Sequence, residues 1–510
     1  MTVGTASLPL RTPHSDTRLP LGAWLVAAVT VLALLAVAGR YGFHGDEFYF
    51  VETGRHLQAA APDNPMLVPY LAAGWYALVG GHLWAFRILP ALAIGCYVLV
   101  GGLTARTYGA GRRAQVAACV AVALTSAPLA SGHLFETTTF DLLATATTLW
   151  LLIRAIRIED ARWAPWLAVG VAAGIALEIK VMIALVLVCC LIGILLLGPR
   201  QVLAGPRVWA AAGIALLIGA PNLIWQATHG FPMLGVAANI AGGGSTSSTS
   251  RAMLIPSILL DIGPVISVVF VVGLVVLLGR DRRHRDGWLA AGFGIFVVLL
   301  LLTGGKAYYS GGFDPAVLAA GAGPALAWVL RGRLLRQAVV VAVLVVSVVV
   351  TAVLALPLAR PGSTLFAVAR TVNPDLASEI GWPAYVGEVG RVAGSIPPSA
   401  RSQTVIVAQS YALAGALDVL GPSTGAPLPK VYSGHNGYWF WGPPPASATD
   451  AIVIGDFTPA QLATAYGHCE LRATVTADGV DNDLAGTKIY WCTGLRQPWS
   501  ELWPRLKSFA

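Results

Sequence analysis

The chain has 510 residues, 56% of them hydrophobic and 11% charged, where ordinary soluble domains run at about 45–50% and about 25%. That balance excludes a soluble globular enzyme. The formal charge of +8 averages two unlike parts: the basic excess lies before residue 361, whereas residues 361–510 hold slightly more acids than bases. The excess therefore marks membrane topology and not nucleic-acid binding.

In chain order, residues 1–20 carry Arg11, Pro13, His14, Asp16, Arg18 and Pro20 ahead of the first apolar run. No cleavage site follows that run, so it reads as a retained span behind a cytoplasmic N-terminal segment. Apolar windows near 20 residues cross a ~30 Å hydrocarbon layer at about 1.5 Å per residue. They fall at 21–40, 86–105, 114–131, 138–156, 163–179, 181–198, 208–226, 252–279, 287–304, 311–330 and 336–357. The expectation is a polytopic α-helical membrane protein of about eleven or more spans, with a short re-entrant hairpin around Lys180 as the alternative to two spans there.

Cations set the orientation, because short cytoplasmic loops collect Lys and Arg. Arg11 and Arg18; Arg106, Arg112 and Arg113; Arg154, Arg157 and Arg162; Arg200 and Arg207; Arg280, Arg282, Arg283 and Arg285; and Arg331, Arg333 and Arg336 all occupy alternate loops. The amino terminus is then cytoplasmic and residues 361–510 extracytoplasmic. This tail reads as a soluble α/β domain: a strand at 404–408, a helix at 410–420, a second strand at 451–454 and a Thr458-Pro459 helix start. Cys469 and Cys492 are its only cysteines, each in a strand-like segment, and an oxidising exterior lets them pair. Cys96, Cys119, Cys189 and Cys190 lie within spans as small apolar fillers.

Ionisable groups at membrane depth need a reason, since each costs at least ~2.5–3.5 kcal/mol. Those unexplained by topology gather at the outer ends of the spans. The first external loop, 41–85, opens with Gly45-Asp46-Glu47-Phe48-Tyr49. The next outer loop adds His133, Glu136 and Asp141; Glu178 and Lys180 follow the fifth span; Lys306, Tyr308 and Tyr309 follow the ninth. A carboxylate accepts a proton from a hydroxyl nucleophile, and lysines hold a phosphate leaving group. Together they describe transfer of a group from a lipid phosphate to an alcohol on the outer face.

The acidic pair after the first span resembles the GT-C glycosyltransferases, in the branch of the protein O-mannosyltransferases and the lipid A aminoarabinose transferases. The resemblance continues in Asn64-Pro65-Met66-Leu67, Phe86-Arg87-Ile88-Leu89-Pro90, Asp141-Leu142-Leu143 and Gly305-Lys306-Ala307-Tyr308-Tyr309. It implies an inverting transferase that takes a monosaccharide, hexose or pentose, from a polyprenyl-phosphate donor in the plasma membrane. Asp46 would be the base, Glu47 would support acceptor or loop geometry, and Asp141 would bind or orient a substrate. Lys306, with Lys180 and Arg87, would grip the lipid phosphate. Tyr308 and Tyr309 would line the sugar pocket or mark the bilayer interface, with His133 on the substrate side. No role carries over to Asn64, and neither a cofactor nor a divalent metal is expected.

The densest polar-aromatic cluster, Ser433 to Pro445, includes His435 and Trp439 and suits sugar binding over the site, for a protein, polysaccharide or lipid acceptor. Gly242-Gly243-Gly244 and the serines up to Ser250 read as a linker or lid. The alternative function is a transporter or flippase of lipid-linked sugars. Such proteins place ionisable groups near the midplane between repeated halves, and the sequence shows neither that placement nor a repeat.

Overall fold

A computed structural model describes residues 18–157, 162–244, 248–279, 286–424 and 428–509. The expectations for Arg11, for Arg280, Arg282, Arg283 and Arg285, and for Ser245 to Ser247 lie outside the described residues.

Helices fill all eleven apolar windows. Apolar sequence in lipid has no solvent for its backbone groups, so they pair within the helix. Among the described residues four helices are long and apolar enough to cross a membrane, Leu83–Thr107, Thr137–Arg157, Ala307–Leu330 and Leu334–Ala355. The number rises to seven if each bent pair is one span.

Three of the expected spans, 114–131, 208–226 and 252–279, are not single straight helices. They break into helix pairs bent by 61°, 57° and 104°. The sharpest bend has a local cause. Gly263 takes φ +92°, open to glycine without strain, and Pro264 has no N–H to continue the ladder. Around Lys180, helices Ala164–Leu177 and Met182–Leu197 pack against different neighbours, the first on Pro206–Ile218 and the second on Gly287–Thr303.

The C-terminal part contains one five-stranded sheet. Its strands are β1 (Thr404–Ala408), β2 (Val431–Ser433), β3 (Asp450–Ile454), β4 (Tyr466–Thr474) and β5 (Lys488–Leu495), in the order β2-β1-β3-β5-β4. β2, β1 and β3 run parallel, and the β3–β5 and β5–β4 pairs are antiparallel. β1 and β3 are buried along their whole length, as their unbroken apolar runs require. Cys469 faces Cys492 across the β4–β5 pair, and the two are joined by a disulfide.

Residue 361 is not a packing boundary. Helix Tyr411–Leu420, which follows β1, lies on helix Gly45–Arg55 of the first loop. Phe48, Tyr49 and Phe50 share one buried core with Tyr385, Leu413 and Leu417. This contact brings residues about 360 positions apart to one place, and the site is built at it.

Candidate active site

Helix Gly45–Arg55 is fixed at its first turn. The Asp46 N–H donates to His44 Nδ1 (3.2 Å), and the His44 N–H donates to Glu47 Oε2 (2.8 Å), which satisfies two otherwise orphaned donors. Glu47 is fully buried and accepts both Nε–H (3.0 Å) and an Nη2–H (2.7 Å) of Arg87, together with the Phe135 N–H (2.9 Å). Arg87 spends its remaining donors on Glu379 Oε2 and the carbonyls of Ala38 and Gly42. Glu379 in turn meets His133 Nε2 at 3.1 Å. Burial works against the Glu379 carboxylate, but Arg87 and then His133 outweigh it and hold it below its usual range.

This arrangement corrects two expectations and specifies a third. Arg87 has no donor left for a phosphate and His133 is buried against Glu379, while Glu47 supports the loop geometry and does not itself line the cavity that Asp46 lines. The four side chains tie the end of the first span, the start of the second, the 133–136 loop and the C-terminal part into one ion-paired node.

Asp46, the neighbour of Glu47, points the other way. It lines a cavity of about 790 Å³ that Lys180, Lys306, Tyr308, Tyr309 and His435 also line. Lys180 Nζ lies 4.9 Å from the Tyr309 ring centroid and 5.4 Å from that of Tyr308, and Lys306 Nζ lies 5.8 Å from Tyr308. The tyrosines thus hold the two ammonium groups by their ring faces. Burial lowers the pKa of both lysines against the pull of the nearby carboxylates.

Acids line the same cavity. Glu136 is pushed up to about 8 by burial and by Asp375, against His44, while Asp63 rises to about 6 chiefly by burial. His435 is lowered to about 4 by burial and is neutral at pH 7. Among the described residues no group of three or more His, Cys, Asp or Glu side chains is arranged to hold a metal.

Two further expectations shift. Asp141 is buried behind Lys180, accepts the Thr145 hydroxyl (3.2 Å) and does not line the cavity. Trp439 donates from Nε1 to the Trp503 carbonyl (3.0 Å) with Lys507 Nζ 4.1 Å from its ring, so it packs the C-terminal part together away from the cavity. Asn64, to which no role was carried, does line it.

The sequence reading missed Tyr411, whose hydroxyl donates to Asp46 Oδ1 at 2.8 Å. Its N–H donates to His435 Nδ1 at 3.3 Å. Asp63 was missed as well; it accepts from Tyr49 Oη (2.8 Å) and Asn436 Nδ2 (3.1 Å). A signal for Tyr411 existed. The connections after β1 and β3 leave a parallel sheet where its order reverses, and ligand crevices form outside the carboxyl ends of strands at such a point. Gln409, Ser410 and Tyr411 after β1 and Asp456 after β3 all line the cavity. Nothing in the sequence singles out Glu379.

Residues 63–225 match the family model of dolichyl-phosphate-mannose-protein mannosyltransferases. Most of the chain is similar in structure to ArnT from Cupriavidus metallidurans. In the apo state the TM-score is 0.57, and bound to undecaprenyl phosphate it is 0.58, each at 16% identity over 92% of this chain and 97% of that one. The fold is that of the GT-C glycosyltransferases. A mycobacterial arabinofuranosyltransferase, AftD, is similar at TM-score 0.53 and 16% identity, over 95% of this chain and 41% of that one. No curated protein matches the chain in sequence. The family match over residues 63–225 and the fold shared with ArnT point the same way as the acidic pair and the order of the motifs.

Proposed function

We propose that this protein transfers a monosaccharide from a polyprenyl-phosphate carrier to a hydroxyl acceptor at the extracytoplasmic face of the cell membrane. The observation that carries the reading is the convergence of Asp46 with Lys180 and Lys306 on one cavity. The relatives support the donor class: ArnT is described with undecaprenyl phosphate bound, and the matching family is named for dolichyl-phosphate-mannose.

In the proposed step the acceptor oxygen attacks the anomeric carbon and its proton passes to the Asp46 carboxylate. The bond from anomeric carbon to phosphate oxygen breaks, and its electron pair leaves with the polyprenyl phosphate. Lys180 and Lys306 neutralise the charge that develops there. One displacement inverts the anomeric centre. The phosphate remains at the membrane rim, where its tail stays in lipid, and the acceptor enters from the side of the C-terminal part. Neither a cofactor nor a metal is assigned a part in the step.

Incubation of purified protein with a panel of polyprenyl-phosphate hexoses and pentoses, together with a mixture of saccharide, peptide and lipid hydroxyl acceptors, tests the proposal by the release of polyprenyl phosphate. Asp46→Asn keeps the size and the Tyr411 contact but cannot take a proton, so release falls about 10²–10⁴-fold. Equal release by the variant removes Asp46 as the base.

A further inference from the structure

The two lysines match one group. A polyprenyl phosphate leaving the sugar carries a charge of about −1.5 to −2 near neutral pH, and Lys180 and Lys306 supply two positive charges. Among the described residues lining the cavity there is no arginine and no third lysine. His435 accepts the Tyr411 N–H on Nδ1 and is neutral. His44 accepts the Asp46 N–H and stands 3.8 Å from Asp375, so its charge, when present, is already paired. Among the described lining residues no cation remains for a second anion.

The wall contributed by the loops after the strands is acidic and hydroxylic. Asp456 and Asp483 line it, and Asp63 of the first loop lines the same cavity. The lining also has uncharged groups, Gln409, Ser410, Asn436, Asn482 and Thr487. Carboxylates and amides together accept from and donate to hydroxyls, and carboxylates repel a phosphate. None of the C-terminal residues lining the cavity belongs to a strand, so this wall offers no backbone edge along which an extended peptide would pair.

From this lining we infer that the acceptor is the neutral, hydroxyl-rich end of a saccharide, and not a phosphate-bearing or peptidic group. The inference rests on the transferase reading and specifies its acceptor. The sugar hydroxyls meet Asp63, Asp456 and Asp483 and the amides that line the cavity with them, while the attacking hydroxyl faces Asp46.

The test uses the full-length protein with whichever donors release polyprenyl phosphate. The acceptors are a set of neutral oligosaccharides, the same oligosaccharides phosphorylated at one terminal hydroxyl, and a Ser/Thr peptide. Transfer to a neutral oligosaccharide is expected, with kcat/KM for its phosphorylated form at least about tenfold lower. The double variant Asp456→Asn, Asp483→Asn reads the charge itself: the handicap of the phosphorylated form shrinks several-fold while KM for the neutral form rises. Preference for the phosphorylated acceptor or the peptide, transfer to none of the three, or an unchanged handicap in the variant overturns the inference and leaves the transferase reading intact. Failure of every donor to release polyprenyl phosphate overturns the transferase reading instead.

Discussion

Asp46 offers two oxygens, and one of them is occupied. Tyr411 donates to Oδ1, which in the proposed step leaves Oδ2 for the acceptor proton. The Tyr411 ring is held between Tyr49, 4.5 Å away, and His435, 4.9 Å away. Tyr411→Phe therefore keeps the packing and loses only the hydroxyl. A hydrogen bond to a charged group contributes about 1.5–3 kcal/mol, so kcat should drop roughly 10–100-fold with donor KM unaltered. Unaltered kcat in steady-state assays would reduce Tyr411 to a packing residue.

The lysines carry a second prediction at the same scale. Burial lowers their pKa in the empty cavity, and a bound phosphate dianion raises it again, so binding takes up protons. Above the second ionisation of the phosphate itself, near pH 6, affinity for undecaprenyl phosphate then falls as pH rises through the lysines' unbound pKa. Tryptophan-fluorescence titration from about pH 7.5 to about pH 10 checks this; affinity that climbs with pH over that range contradicts it.

Elements place these residues through close backbone approaches. A Cβ added at Gly54 would stand 2.0 Å from the Pro69 carbonyl oxygen and 2.8 Å from Ala73 Cβ. Gly54→Ala thus separates helix Gly45–Arg55 from helix Leu67–Leu78 and tilts the turn that presents Asp46. Both lysines stand on other elements, so the variant should keep affinity for undecaprenyl phosphate and lose most of its kcat. Binding and turnover measured side by side separate that pattern from global unfolding.

The ion-paired node secures the same helix from beneath. Arg87→Ala leaves Glu47 and Glu379 buried without their cation, a loss of about 3–5 kcal/mol that thermal unfolding in detergent reads as a lower Tm. Glu379 adds a pH signature. Its folded pKa lies below the reference value of 4.5, so its stabilisation is present above pH 4.5 and is lost as pH falls through the folded value. Glu379→Gln should flatten that acid limb; a limb as steep as in the unsubstituted protein would place the titration elsewhere.

At the scale of the molecule the site is a seam. The helical part contributes Lys180, Lys306 and the tyrosine pair, the first loop contributes Asp46 and Asp63, and the tail contributes Tyr411, His435 and Asp375. A tail that folded as a separate body would leave the cavity without the partner of Asp46, and this explains why the core under helix Gly45–Arg55 runs unbroken into the tail.

Composition and spacing by themselves determined the apolar helical windows, the strands at 404–408 and 451–454, and the set of ionisable groups near the helix ends from which Asp46, Lys180 and Lys306 come. Hydrophobic periodicity and charge bias are properties of neighbouring residues, and they survive reading one segment at a time. Side-chain direction within that set was decided only by the tertiary structure. Asp46 and Glu47 are adjacent and chemically alike, yet the first turn of one helix sends the former to the cavity and the latter to Arg87. The contact between Tyr411 and Asp46 spans 365 positions. No local pattern encodes such a pairing, because it arises from the docking of the helix after one strand onto the helix after one apolar window.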